Sequence, residues 1–193
     1  MKGSSILSAL AFAGVSVAQT PSGFTPVVEQ KLEVTFGTKA VTTPGTALTK
    51  ADTARQPAIG LSIPVNGSYV WMMIDLDAST NFVNPGQGQA ATYLHTVIRD
   101  FKASGAASAD GVTTLTSTAT GPVAWFGPAP PAENPPHPHR YTNLLWVQPA
   151  NWQIPAAASQ MLQSQKVGFN VPNFITAAGL SNPIAANYFN VTG

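Results

Sequence analysis

Val70-Trp71-Met72-Met73-Ile74-Asp75-Leu76-Asp77-Ala78 is a strand-like apolar run that takes up two aspartates near its end, in a chain with only 9% charged residues. An isolated buried carboxylate is costly unless donors satisfy it. Asp75 and Asp77 are therefore expected to accept hydrogen bonds from groups brought in from elsewhere. All three histidines lie downstream: His95 in Tyr93-Leu94-His95-Thr96-Val97-Ile98, and His137 and His139 in Pro135-Pro136-His137-Pro138-His139-Arg140-Tyr141.

Outward from this run, the chain reads as many short elements joined by turns, since 17 prolines and 16 glycines are spread along its whole length. Alternation in Lys31-Leu32-Glu33-Val34-Thr35-Phe36 predicts a half-exposed strand, and residues 58–63, 68–77 and 95–101 are further strand candidates. Residues 113–118 suit an edge strand, 141–148 form the last long candidate, and 184–191 return to strand. Helical signal is confined to the last third. Pro155 followed by good helix formers predicts a helix to Lys166, and residues 173–178 a second, stopped by Gly179. The segment 127–139 holds six prolines in thirteen residues and reads as an ordered loop or polyproline stretch. There is no internal repeat.

The first eighteen residues combine Lys2, an apolar core from Ile6 to Val17, and small residues at Ser16 and Ala18 placed for cleavage before Gln19. They are expected to be a secretory signal peptide (1–18), leaving a single domain over 19–193. With Lys2 removed, basic and acidic residues are equal in number, so the mature chain has no electrostatic source for nucleic-acid binding or for docking on anionic membranes. No second stretch is apolar enough for a transmembrane segment. Absence of cysteine excludes disulfides and thiolate metal sites. Two sequons, at Asn66 and Asn190, fit export and glycosylation.

Three chemical constellations can be weighed. For a hydrolase, the only G-x-S-x-A pattern, Gly14-Val15-Ser16-Val17-Ala18, falls in the segment to be removed, and no other serine sits in a nucleophile elbow. For a metal, His137 and His139 would share one side of an extended chain and His95 could add a third nitrogen. The proline between them argues against an orderly strand there, so His137 is expected to be a solvated loop residue and no metal ligand. The third constellation joins Asp75, His95, His139 and Tyr141. A carboxylate accepting one ring N–H fixes an imidazole tautomer and leaves the other nitrogen for a ligand. Backbone N–H groups at Gly127 and Ala129 would add donors around a small anion pocket; a buried polar network that merely specifies the core is the competing explanation.

Asp75-Leu76-Asp77-Ala78-Ser79, His95, Gly127-Pro128-Ala129-Pro130-Pro131 and His139-Arg140-Tyr141 resemble, in order and spacing, the D-P-D-A-P, lone His, G-x-G-P-P and H-R-Y motifs of the phosphatidylethanolamine-binding protein family. Asn182-Pro183-Ile184-Ala185-Ala186-Asn187-Tyr188-Phe189 is similar to its late strand. The resemblance implies an all-β-dominated, β-sandwich-like fold: a large central antiparallel sheet, a smaller sheet, and a few short helices in the C-terminal third. It also implies a small anion pocket at one end, with ligand-binding roles for Asp75, His95, Gly127, Ala129, His139 and Tyr141, of which the histidines and the tyrosine would donate. Asp77 is expected to anchor the adjoining loop, with Arg140 in support. Leu76 and Ser79 replace the family's prolines, Ala129 replaces the second glycine of the loop, and no counterpart of the C-terminal helix of animal members is expected.

The function these readings imply is that of a non-enzymatic protein, secreted or held in the secretory pathway or vacuole, that binds a small anionic ligand, a phosphomonoester or phospholipid headgroup, without a cofactor. Inhibition of a serine carboxypeptidase or other protease is the alternative, which the resemblance implies for some fungal members. A hydrolase using an Asp–His pair is the third.

Overall fold

The computed structural model describes residues 17–193, so the segment expected to be cleaved lies, apart from its last two residues, outside the described residues. Strands dominate: β1 (Glu33–Phe36), β2 (Lys39–Ala40), β3 (Thr46–Leu48), β4 (Ala58–Leu61), β5 (Ser68–Ser79), β6 (Ala90–Ala103), β7 (Thr113–Thr116), β8 (Pro122–Val123), β9 (Pro138–Gln148) and β10 (Ala185–Thr192). Two short helices, α1 (Ala156–Ser164) and α2 (Val171–Ala178), precede β10. The strands form one continuous path, β2-β1-β4-β7-β6-β5-β9-β10-β3, with β8 paired to β6. The long strand β6 belongs to both halves, pairing with β5 along most of its length and with β7 at Lys102 and Ala103. A large sheet thus continues into a smaller one that folds over it.

The apolar run of β5 is explained by burial on both of its faces. Val70, Met72 and Ile74 enter a core with Leu162 of α1 and Phe174 of α2. Tyr69, Trp71 and Met73 point the other way, into a core shared with Val34, Ile59 and Leu115 of the smaller sheet. A strand covered on both sides needs apolar residues at every position rather than at alternate ones. Asp75 continues the face of Trp71 and Met73, at the end of the layer between the sheets.

Strand and helix expectations hold in position, with differences at the ends. Pro155 closes the turn before α1, which stops at Ser164 instead of reaching Lys166. Asn170 caps α2 by accepting the Asn173 N–H at 2.9 Å. Gly179 ends that helix at φ +64°, in the left-handed region that glycine adopts without strain. Strand β7 is not an edge: Thr113, Thr114 and Leu115 pair with β4 while Leu115 and Thr116 pair with β6, a lateral pairing of the backbone that the polar alternation of its side chains does not reveal. The sheet is antiparallel except for β3 against β10, which run parallel. No helix among the described residues is long and apolar enough to cross a membrane.

Candidate functional site

Two irregularities in the β5–β6 pairing build the site. Met73 faces Thr96 and Ile74 faces Leu94, which leaves His95 as an extra residue on β6. Asp75 faces Tyr93 and Ala78 faces Ala91, so Leu76 and Asp77 together oppose Thr92. Such bulges bend a strand and re-aim its side chains. On the other flank, regular pairing sets Asp75 opposite Tyr141 of β9, and the strand period of two puts His139 on the same face.

Asp75 is buried and both of its oxygens are engaged. Oδ1 accepts the backbone N–H of Asp77 at 2.8 Å, and Oδ2 lies 2.8 Å from Nδ1 of His139, which donates to it. His139 is itself 2% exposed. Burial draws its pKa down, but the hydrogen bond and charge of Asp75, reinforced by Glu133 and Asp77, outweigh burial and hold the imidazole above its usual value. Its Nε2 is buried and without a hydrogen bond, 3.7 Å from Oε1 of Glu133. Asp77 takes Arg140 in a fork, with Nε donating at 2.8 Å and Nη2 at 2.7 Å, and accepts the Arg140 backbone N–H at 2.8 Å. Burial alone would raise the Asp77 pKa; the Arg140 bonds and charge reverse this and lower it. Asp77 therefore ties β5 to β9, where the sequence led us to expect a loop anchor, and its donor is an arginine rather than a histidine.

His95 is placed differently from His139. Its Nδ1 lies 2.8 Å from the Phe126 carbonyl. A carbonyl oxygen only accepts, so Nδ1 carries the proton and the other nitrogen of the neutral ring is an acceptor. Burial lowers the His95 pKa, against the opposing pull of the Phe126 hydrogen bond and the Asp75 charge. The expectation that His95 donates to a ligand is corrected accordingly: the neutral ring that burial favours offers a lone pair. The Tyr141 phenol, buried beside Asp75 and the Ala129 backbone, has its pKa pushed up by burial first and then by the Asp75 carboxylate, so it stays protonated.

Asp75, His95, Ala129, His139 and Tyr141 all line one cavity of about 230 Å³. Its rim is apolar, formed by Phe82, Pro85, Phe126, Pro130 and Pro131, with Tyr93 between. The His95 ring stacks on Phe126 at a centroid separation of 5.3 Å and meets Tyr93 edge-on at 5.2 Å. Gly127 is not brought to this wall. A Cβ there would stand 3.1 Å from the Thr53 carbonyl oxygen, so the glycine serves close packing against the 53–54 backbone. His137 is exposed and outside the cavity, with Nδ1 3.8 Å from Oε2 of Glu133. Asn66 is exposed in the turn before β5, whereas Asn190 lies within β10 with its Oδ1 shielded from solvent.

Tyr93, Phe126 and Glu133 were not singled out from sequence. Tyr93 stands two residues before His95, a spacing that shares a strand face, and starting the strand earlier would have found it. Glu133 is the one acidic residue in the proline-rich loop, and nothing in its neighbours signals that the loop folds back onto His139.

A sequence model described as phosphatidylethanolamine-binding protein matches residues 27–189. The chain is 31% identical over 201 residues to phomoidride biosynthesis cluster protein N of Talaromyces stipitatus, covering 96% of each chain. It is 30% identical to a 26 kDa secreted antigen of Toxocara canis, with 87% of this chain and 60% of that relative covered. Among solved structures, carboxypeptidase Y inhibitor complexed with its cognate proteinase superposes with a TM-score of 0.58 at 18% identity, covering 86% of this chain and 84% of that one. At that identity the likeness speaks for the fold alone.

Proposed function

The chain belongs to the phosphatidylethanolamine-binding protein family, and we propose that it is a secreted binding protein whose cavity takes a small anionic group carried on an apolar or aromatic body. The observation that carries this is the cavity itself, a polar floor of Asp75, His95, His139 and Tyr141 beneath a rim of aromatic rings and prolines. A concave, largely apolar site with a few convergent polar groups is what small-molecule recognition requires. His139 supplies the charge. Held by Asp75 through Nδ1, it has Nε2 free to donate to an anionic oxygen, and Tyr141 can donate a second hydrogen bond. The neutral His95 can accept the remaining proton of a singly ionised phosphomonoester. Phe82 and Phe126, 59% and 53% exposed, are placed to cover the ligand's apolar part.

Export is supported by the N-terminal apolar segment and by the name of the Toxocara relative. The name of the Talaromyces relative, which assigns that protein to a biosynthesis cluster, favours a small-molecule ligand over a protease.

Calorimetric titration of phenyl phosphate into chelator-treated protein tests the assignment. Saturable one-to-one binding is expected, weakened by about 1–3 kcal/mol in His139→Ala and by about 0.5–1.5 kcal/mol in Tyr141→Phe, with His137→Ala near wild type. Equal losses for His137→Ala and His139→Ala would overturn it.

A further inference from the structure

Glu133, His137 and His139 meet on the side of His139 that faces away from Asp75. One ligand-capable atom from each, two ring nitrogens and a carboxylate oxygen, lie within 4.8 Å of one another. His139 Nε2 stands 3.7 Å from Glu133 Oε1, and His137 Nδ1 stands 3.8 Å from Glu133 Oε2. We propose that these three side chains form a divalent-cation site of the zinc type, with a fourth position open to the groove lined by Asp77, Gln89 and Asn134.

The buried nitrogen of His139 is the strongest sign. The ring is 2% exposed, its Nδ1 is committed to Asp75, and its Nε2 makes no hydrogen bond. With Nδ1–H donating to Asp75, Nε2 faces the Glu133 carboxylate without a hydrogen bond, a position that suits a cation, either a metal ion or the ring's own second proton. A carboxylate behind one nitrogen and a metal on the other is the usual way in which a metal-bound imidazole is oriented. Charge points the same way. Arg140 neutralises Asp77 through its fork, and Asp75 and Glu133 remain as two carboxylates flanking one imidazole.

Geometry and donor type narrow the cation. Metal–ligand bonds of about 2.1 Å in a tetrahedron place ligand atoms roughly 3.4 Å apart, so the three ligand atoms, now within 4.8 Å of one another, must draw together around the ion, with each imidazole already 3.7–3.8 Å from one of the two Glu133 oxygens. His137 is exposed and can turn to complete the set. Two imidazoles and a carboxylate without thiolates suit zinc and its transition-metal neighbours rather than calcium or magnesium, which prefer all-oxygen cages. His137, expected from sequence to be a solvated loop residue, thereby acquires a role, and the third ligand is Glu133 instead of His95. Zinc and an anion held by the Nε2–H of the imidazolium compete for the same nitrogen of His139, so zinc binding is tested with no phosphomonoester present.

The test is zinc titration of the full secreted chain after chelator treatment, followed by calorimetry and by competition with a chromophoric chelator. One saturating equivalent is expected. Glu133→Gln and His137→Ala should each weaken it by more than about 100-fold, and Asp75→Asn, acting through His139, by about 10–100-fold; His95→Ala should retain it. X-ray absorption of the loaded protein should show two imidazoles and at least one oxygen. His137 is exposed and Glu133 half-buried without a hydrogen-bonded role in the fold, so circular dichroism of those variants is expected to match wild type. Absence of saturable binding, or binding that survives both Glu133→Gln and His137→Ala, would overturn the site and leave the cluster as an imidazolium–carboxylate pair.

Discussion

Replacing Asp75 by asparagine keeps the side chain's shape and removes its charge. In the native structure Oδ1 accepts from Asp77 N–H and Oδ2 from His139 Nδ1, both at 2.8 Å. Asparagine can still accept from Asp77, but its amide then turns an N–H toward Nδ1, and His139 must move its proton to Nε2 to accept it. A bond involving a charged group, about 1.5–3 kcal/mol, becomes a neutral one of about 0.5–1.5 kcal/mol. The carboxylate's burial cost is relieved at the same time, which limits the loss. The expected net destabilisation is about 1–2 kcal/mol, or a fall in Tm of about 2–8 °C for a domain of this size. Asp75→Ala should cost more, about 3–5 kcal/mol, because both the Asp77 N–H and the His139 ring lose their partner. Phenyl phosphate affinity in Asp75→Asn should fall by about fivefold to tenfold, since the donor facing the anion is then uncharged. Denaturant melts of the three proteins decide the matter. If Asp75→Asn equals or exceeds wild-type stability, the Asp75–His139 pair is a net burden on the fold and its assignment as the organising contact fails.

In a double-mutant cycle of Asp77→Ala and Arg140→Ala, the fork should show a coupling of about 1–3 kcal/mol, measured by denaturant melts; additivity of the single losses would remove it as the tie between β5 and β9. The His95 ring, with its pKa lowered by burial, should titrate by NMR below its ordinary value of about 6.5. The sign of the linkage follows: with the folded pKa below the unfolded one, this histidine's contribution to stability is intact above about pH 6.5 and is lost as pH falls through the folded value. A His95 midpoint above 6.5 would contradict the neutral acceptor role. Mature secreted protein should begin at Gln19 by intact mass; material that retains Met1 would refute export through this segment.

Much of this architecture could be read from residue types because each such feature is decided locally. Burial of β5 on both faces leaves an unmistakable apolar run, and the two aspartates inside it announce partners that Arg140 and His139 supply. Gly179 marks the end of α2 by its own backbone freedom. Other features depend on a partner strand and have no signature of their own. Strands β2 and β8 are two residues long, β3 is fixed by its parallel partner β10, and the first residues of β6, Ala90-Ala91-Thr92, have too little β character to announce themselves. The bulge that singles out His95 exists only in the register between β5 and β6. Consequently the two cavity histidines looked equivalent in sequence, although one faces a carboxylate and the other a carbonyl. Gly127 was legible as a special position, but its constraint comes from the Thr53 carbonyl rather than from a ligand.

The most direct test of the binding account is a crystal structure of the secreted protein with phenyl phosphate, prepared free of metal. The account predicts phosphate oxygens within hydrogen-bonding distance of His139 Nε2 and Tyr141 Oη, with the phenyl ring against Phe82 and Phe126. A phosphate bound elsewhere on the surface, with the cavity holding only water at saturating ligand, would contradict it.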